Sequence, residues 1–209
     1  MEREAIKQLF VDNYIGREEL IPLMERLGLN VDDIVEQPIS QKYSDSVLQK
    51  AASEGYILIW CPQQVNGQEI TLRYLRDHFG LNPDVSEPCF YNQDWYLQET
   101  FMDFSLNSDW YLIKKDVFED TRAVQPLDLK NRGLSFPPAI LCAFTFLTYY
   151  FAKGQYLWYH DFVWCSDVDH NGDRVYVGKY HDIDGANKNG FSIHRHLALR
   201  QCYGSVNCL

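Results

Sequence analysis

The feature that most constrains this chain is an apolar run, residues 139–152, entered through Pro137-Pro138 and followed by Gly154. Proline suits the first turn of a helix and glycine the position past its end, so the run reads as one helix with defined ends. Its 14 residues fall short of the ~18–20 that span a bilayer. Thr145, Thr148, Tyr149 and Tyr150 also place polar groups along it. The reading is a buried helix at the centre of a soluble domain, with no membrane partner expected.

A buried helix needs other elements to cover it. The 209 residues suffice for one large domain, or for one domain with a small appendage. Apolar residues make up 46% of the chain, enough for a sizeable core, which argues against disorder. Residues 1–40 read as a helical appendage. Ile6, Leu9, Phe10 and Tyr14, then Leu20, Leu23, Met24 and Leu27, recur at helical spacing, with Gly28 as a stop. This segment is free to pack on the main domain or to mediate homo-oligomer formation. The main domain is expected to cover 41–209. Ser44 caps a helix ending at Gly55, and residues 56–61 follow as a buried strand. Thr71 caps a second helix ending at Gly80. Residues 94–104 read as helical and 110–114 as a strand, while 116–136 carry no clear period.

From Phe162 the pattern changes. Residues 162–166 and 174–180 are β-rich runs around Asn171-Gly172, a hairpin signal. Residues 191–197 alternate, with Phe191, Ile193 and Leu197 on one face and Ser192, His194 and His196 on the other. A last strand is expected over 203–209. The expected fold class is therefore α+β, with helices mostly in the first three-quarters and an antiparallel β region at the C-terminal end.

Three segments carry a family resemblance: Val163-Trp164-Cys165-Ser166, then Arg174-Val175-Tyr176-Val177-Gly178, then Ser205-Val206-Asn207-Cys208-Leu209. With two early helices and late hairpins, they resemble the C-type-lectin fold in its bacterial branch, which includes the formylglycine-generating (sulfatase-modifying) enzymes. That branch shows a Trp-Ser-Ser-like strand, an aromatic-aliphatic strand and a terminal Val-Arg-Cys-Val strand. Asn207 stands where the branch has Arg, and its Gly-Arg-Leu-Pro-Thr-like motif is missing after the first strand. The enzymes bind copper through two C-terminal cysteines separated by four residues. Here Cys202 and Cys208 have five residues between them. On a strand that changes which face each thiol presents. The resemblance thus implies a lectin-like binding module and, as an alternative, a copper/thiol oxidoreductase.

The sharpest local motif is Asp167-Val168-Asp169-His170-Asn171-Gly172-Asp173. Its Asp167, Asp169, Asn171 and Asp173 match the opening of a calcium loop, where several oxygens converge on a hard cation. The twelfth position is Gly178 instead of Glu, and the flanks read as strands. A polar hairpin turn uses the same residues for backbone reasons. His194 and His196, joined by His160, His170 or His181, offer a zinc set or a solvated sheet face. Asp94, Glu99 and Asp103 among Trp95, Tyr96, Phe101 and Phe104 offer a sugar-processing groove or an aromatic core with solvated acids. The chain's 14 tyrosines and 5 tryptophans exceed what a core needs, so Tyr156, Trp158 and Tyr159 are candidate ligand contacts.

Charge and cysteine usage narrow the class. Net charge is −10, and residues 1–103 hold 8 Lys and Arg against 18 Asp and Glu, while 104–209 hold 11 of each. Such a front half repels phosphate backbones, so no nucleic-acid partner is expected. The six cysteines form no zinc-type spacing. Residues 1–10 are charged and amphipathic, unlike a secretion signal, which points to the cytoplasm. The leading expectation is a ligand- or protein-binding module without turnover. A structural or assembly protein of a larger complex is a further alternative.

Overall fold

A computed structural model describes residues 1–181, 189–195 and 199–209. The architecture is α+β. The central helix, α6 (Ala139–Lys153), forms where the apolar run ends its proline entry, and Gly154 closes it at φ +67° with its N–H on the Tyr150 carbonyl. Residues 139–149 are all buried. A helix apolar all round must be covered on every side. It is covered by α2 (Arg17–Leu27), α4 (Leu72–Phe79), strand β2 (Tyr56–Cys61) and the hairpin of β6 (Phe162–Val168) and β7 (Arg174–His181).

The first sheet is built on β2, an unbroken buried run. It pairs in parallel with β1 (Tyr14–Ile15) and antiparallel with β5 (Asp109–Lys114). The helix starts follow their caps. Ser44 Oγ accepts Val47 N at the head of α3 (Asp45–Ser53), and Thr71 Oγ1 accepts Tyr74 N at the head of α4. A small hairpin, β3 (Gln64–Val65) and β4 (Gln68–Glu69), turns at Asn66-Gly67, both at positive φ. Residues 1–40 are not an appendage. α1 (Arg3–Phe10) buries Ile6 and Phe10, α2 buries Leu20, Leu23, Met24 and Leu27, and β1 joins the main sheet, so one core runs through the supposed boundary.

The second sheet has the order β8-β7-β6-β9, with β8 (Asn189–His194) and β9 (Tyr203–Gly204) at its edges. β6, β7 and β8 are antiparallel, as the hairpin signal implied, but β9 pairs in parallel with β6. Both faces of this sheet carry buried residues. Phe191 and Ile193 face the main core, and Ser192 is fully buried on the other side. There Trp164 and Tyr176 pack with Leu129 of α5 (Pro126–Asn131) and with Phe136 in a second small core.

Two expectations fail for identifiable reasons. Residues 94–104 form turns and one 3-10 stretch, Thr100–Asp103, instead of a helix. Glu99 precedes that stretch, and its buried carboxylate serves a distant turn, as described below. The expected strand over 203–209 is split. Tyr203 and Gly204 belong to the second sheet, after which Lys114 N donates to Asn207 O, and Leu209 and Leu112 bond each other along β5. The tail therefore closes an edge of each sheet, which removes two templates for association.

Candidate functional site

The predicted calcium loop is the tip of the β6–β7 hairpin. Asp169 Oδ1 accepts the N–H groups of Asn171 and Asp173, both at 2.9 Å, and Gly172 supplies φ +86°. This is an Asx-type turn. Asp169 Oδ2 accepts Arg195 Nη1 at 2.7 Å. Burial opposes its charge, but Arg195 and the two turn N–H groups outweigh that and hold the carboxyl down at about 2. Asp167 serves a different place. Its Oδ2 accepts Ala139 N at 2.6 Å, at the positive end of α6, and burial raises its carboxyl above the ordinary value. Asn171 is exposed. The structure thus divides the four predicted ligands between a turn and a helix start.

A different trio converges instead. His170 donates its N–H to Glu99 Oε2 at 2.9 Å, and its Nδ1 lies 2.6 Å from Glu99 Oε1. Glu99, Asp169 and His170 each place one ligand-type atom within 4.8 Å of the others. Two oxygens and one imidazole nitrogen suit a borderline divalent metal better than calcium. Both carboxylates already have partners, Glu99 in His170 and Asp169 in Arg195. As arranged, the trio pins the hairpin tip to the segment carrying Glu99. Asp103, the third acid of that segment, pairs with Arg73 on α4.

The aromatic candidates form a wall around a lysine. Tyr156 stacks on Tyr150 at 4.5 Å between ring centroids, with Tyr159 next to it at 6.1 Å. Lys179 of β7 lies buried beneath, its Nζ 4.3 Å from the Tyr156 ring centre and 5.6 Å from that of Tyr159. Glu87 accepts from Lys179 Nζ at 3.0 Å and from the Tyr156 hydroxyl. Burial and then Glu87 push the Tyr156 phenol up, so it stays a donor. Trp158 is not part of the exposed wall. It is buried at φ +48°, with its indole N–H on the Lys115 carbonyl and its own carbonyl accepting Lys179 N. It sets the backbone that aims the two tyrosines. Lys179 and Glu87 carried no sequence signal, because each is an ordinary charged residue until the fold joins them.

Cys142 hydrogen-bonds Cys165 in the core and also acts on Cys208. Cys208 is pushed up to about 12 by burial, with Cys142 as its next influence, and Cys61 in turn feels Cys208. Cys202 lies among Arg200, Asp161 and Arg122, and its thiol is also raised, chiefly by burial. The Cys202 carbonyl accepts Phe162 N beside the second sheet, whereas Cys208 bridges to Ile113 of the first, and burial makes both thiols resist forming the thiolate that copper or nucleophilic chemistry uses. His194 stacks on Tyr176 at 5.4 Å, and burial pulls its imidazole down to about 4. Its expected zinc partner His196 lies outside the described residues, as does the side chain of His181. Among the described residues, no helix is long and apolar enough to cross a membrane.

With this geometry in hand, comparison with protein-family models, curated proteins and solved structures finds no match to the chain.

Proposed function

We propose that the chain is a ligand-binding module of C-type-lectin-like architecture, working without turnover, whose binding face is the tyrosine wall over Lys179 and Glu87. One observation carries this reading. Tyr150, Tyr156 and Tyr159 are half-buried side by side, with a buried cation and an exposed carboxylate already locked between them. Aromatic faces beside fixed charged hydrogen-bonding groups suit a ligand with a flat C–H face and several hydroxyls. A neutral saccharide has that chemistry. Preorganisation favours binding, because the lysine and the rings are already ordered. The late antiparallel strands and early helices support the lectin-like assignment.

The test is saturation-transfer NMR on the full chain with a panel of neutral mono- and disaccharides. The expected result is transfer to ring protons of at least one sugar, abolished by Tyr159→Ala and by Glu87→Gln in variants with an unchanged circular dichroism spectrum. Absence of transfer across the panel, or equal transfer in Tyr159→Ala, would refute the proposal.

A further inference from the structure

On a chain of net charge −10, Lys130, Arg132 and Arg174 gather around the loop that leaves α5. Among the described residues, none of the three has a carboxylate partner, whereas Arg73, Arg122, Lys179 and Arg195 all do. Arg174 instead donates Nη1 to the carbonyls of Cys165 at 2.8 Å and Ser166 at 3.2 Å. Its guanidinium carbon also rests 5.2 Å from the Phe136 ring centre. Arg132 donates Nη1 to the Asp120 carbonyl at 3.3 Å. Each guanidinium is thus anchored by one nitrogen on backbone oxygen. Asp167, the acid whose charged form Arg174 favours, is committed to Ala139.

These groups line two cavities that adjoin at Gly133 and Leu134. One, of about 440 Å³, is lined by Lys130 and Arg174 with Ser135, Ser166 and Phe136, and by no acid. The other, of about 270 Å³, carries Arg132 with Thr121 and Asn207, and Asp120 is its single acid. Gly133 sits at φ +89°, with nothing within 4 Å of where a Cβ would be, so the ridge between the cavities is low and open. Two cations, two hydroxyls and an aromatic floor make a seat for an oxyanion attached to an apolar body. Arginine held in place presents its planar fork to phosphate without first losing side-chain freedom. A polyanion is disfavoured by the charge of the whole chain, so the ligand is small.

We infer that this surface is a second binding site, for a small phosphate monoester, with the phosphate between Lys130 and Arg174 and the organic part over Leu134 toward Arg132. It shares no residue with the tyrosine wall, and neither site depends on the other.

The probe is phenyl phosphate, titrated into the full chain by calorimetry at constant ionic strength, with inorganic phosphate, benzoate and phenol as comparisons. Phenyl phosphate is expected to bind at least tenfold tighter than benzoate or phenol, and more tightly than inorganic phosphate. Lys130→Glu, an exposed change on a helix end, is expected to weaken it by at least tenfold with an unaltered melting temperature. Arg174→Gln should do the same, and if it unfolds the chain then the Lys130→Glu result decides. Undetectable binding of phenyl phosphate, equal binding by Lys130→Glu, or a preference for benzoate would each overturn the assignment.

Discussion

At the scale of single residues, Asp169 explains most about the hairpin tip. Its ordinary carboxyl value is 3.8, and the fold holds it at about 2. A lowered carboxyl stabilises the fold at pH above its unfolded value, and that contribution disappears as pH falls through the folded one. The window is therefore pH 4 down to 2. Asp169→Asn should lower the melting temperature at neutral pH and erase this part of the acid limb in a thermal titration. Retention of the same limb in the variant would mean that another group causes it. Because both Asp169 oxygens are already occupied and Asp167 serves α6, millimolar calcium is expected to move the melting temperature by less than about 1 °C. A larger calcium shift that Asp169→Asn removes would restore the calcium loop.

At the scale of elements, the second sheet matters most, because both of its faces carry buried residues. His194 on β8 stacks against Tyr176 on β7, which meets Trp164 on β6 at 5.0 Å and Tyr203 on β9 at 4.7 Å. This aromatic row spans all four strands. An imidazole inside it is kept neutral, at about 4 against an ordinary 6.5. Below pH 6.5 the unfolded chain takes up a proton that the folded one refuses, so stability falls with pH until about pH 4. The expected slope approaches ~1.4 kcal/mol per pH unit. His194→Gln should flatten the profile between pH 6.5 and 4 and leave the lower window, due to Asp169, in place. An unchanged slope in urea titrations of that variant would remove His194 as the cause. The alternation over 191–194 was legible in the sequence, but not that α5 and Phe136 would cover its polar face. That packing comes from a segment, 116–136, with no periodicity of its own.

At the scale of the whole molecule, the first 40 residues and the last five do the same work from opposite ends. β1 extends the first sheet on one side of β2, and the tail runs along β5 on the other. A chain beginning at Ser40 would lose β1 and the buried Leu20, Leu23, Met24 and Leu27. Removing a single buried leucine side chain typically costs 2–5 kcal/mol, and whole-domain stability is only ~5–15 kcal/mol. This truncation should therefore not fold cooperatively. If it melted as the full chain does and only its mass by light scattering changed, the segment would be an association arm after all.

What the sequence determined by itself is local. Pro137-Pro138 and Gly154 bounded the central helix, Ser44 and Thr71 started two others, and Asn171-Gly172 turned the hairpin. Each of these acts through backbone conformation or a hydrogen bond within a few residues. The tertiary structure decided which chemistry-bearing groups meet. Glu99 reaches His170 across 71 residues, and Glu87 reaches Lys179 across 92. Lys130 and Arg174 share a cavity only because α5 lies against β6 and β7. Long-range pairs of this kind leave no periodicity in a single chain, since burial and charge are fixed only when the strands and loops have closed on the core.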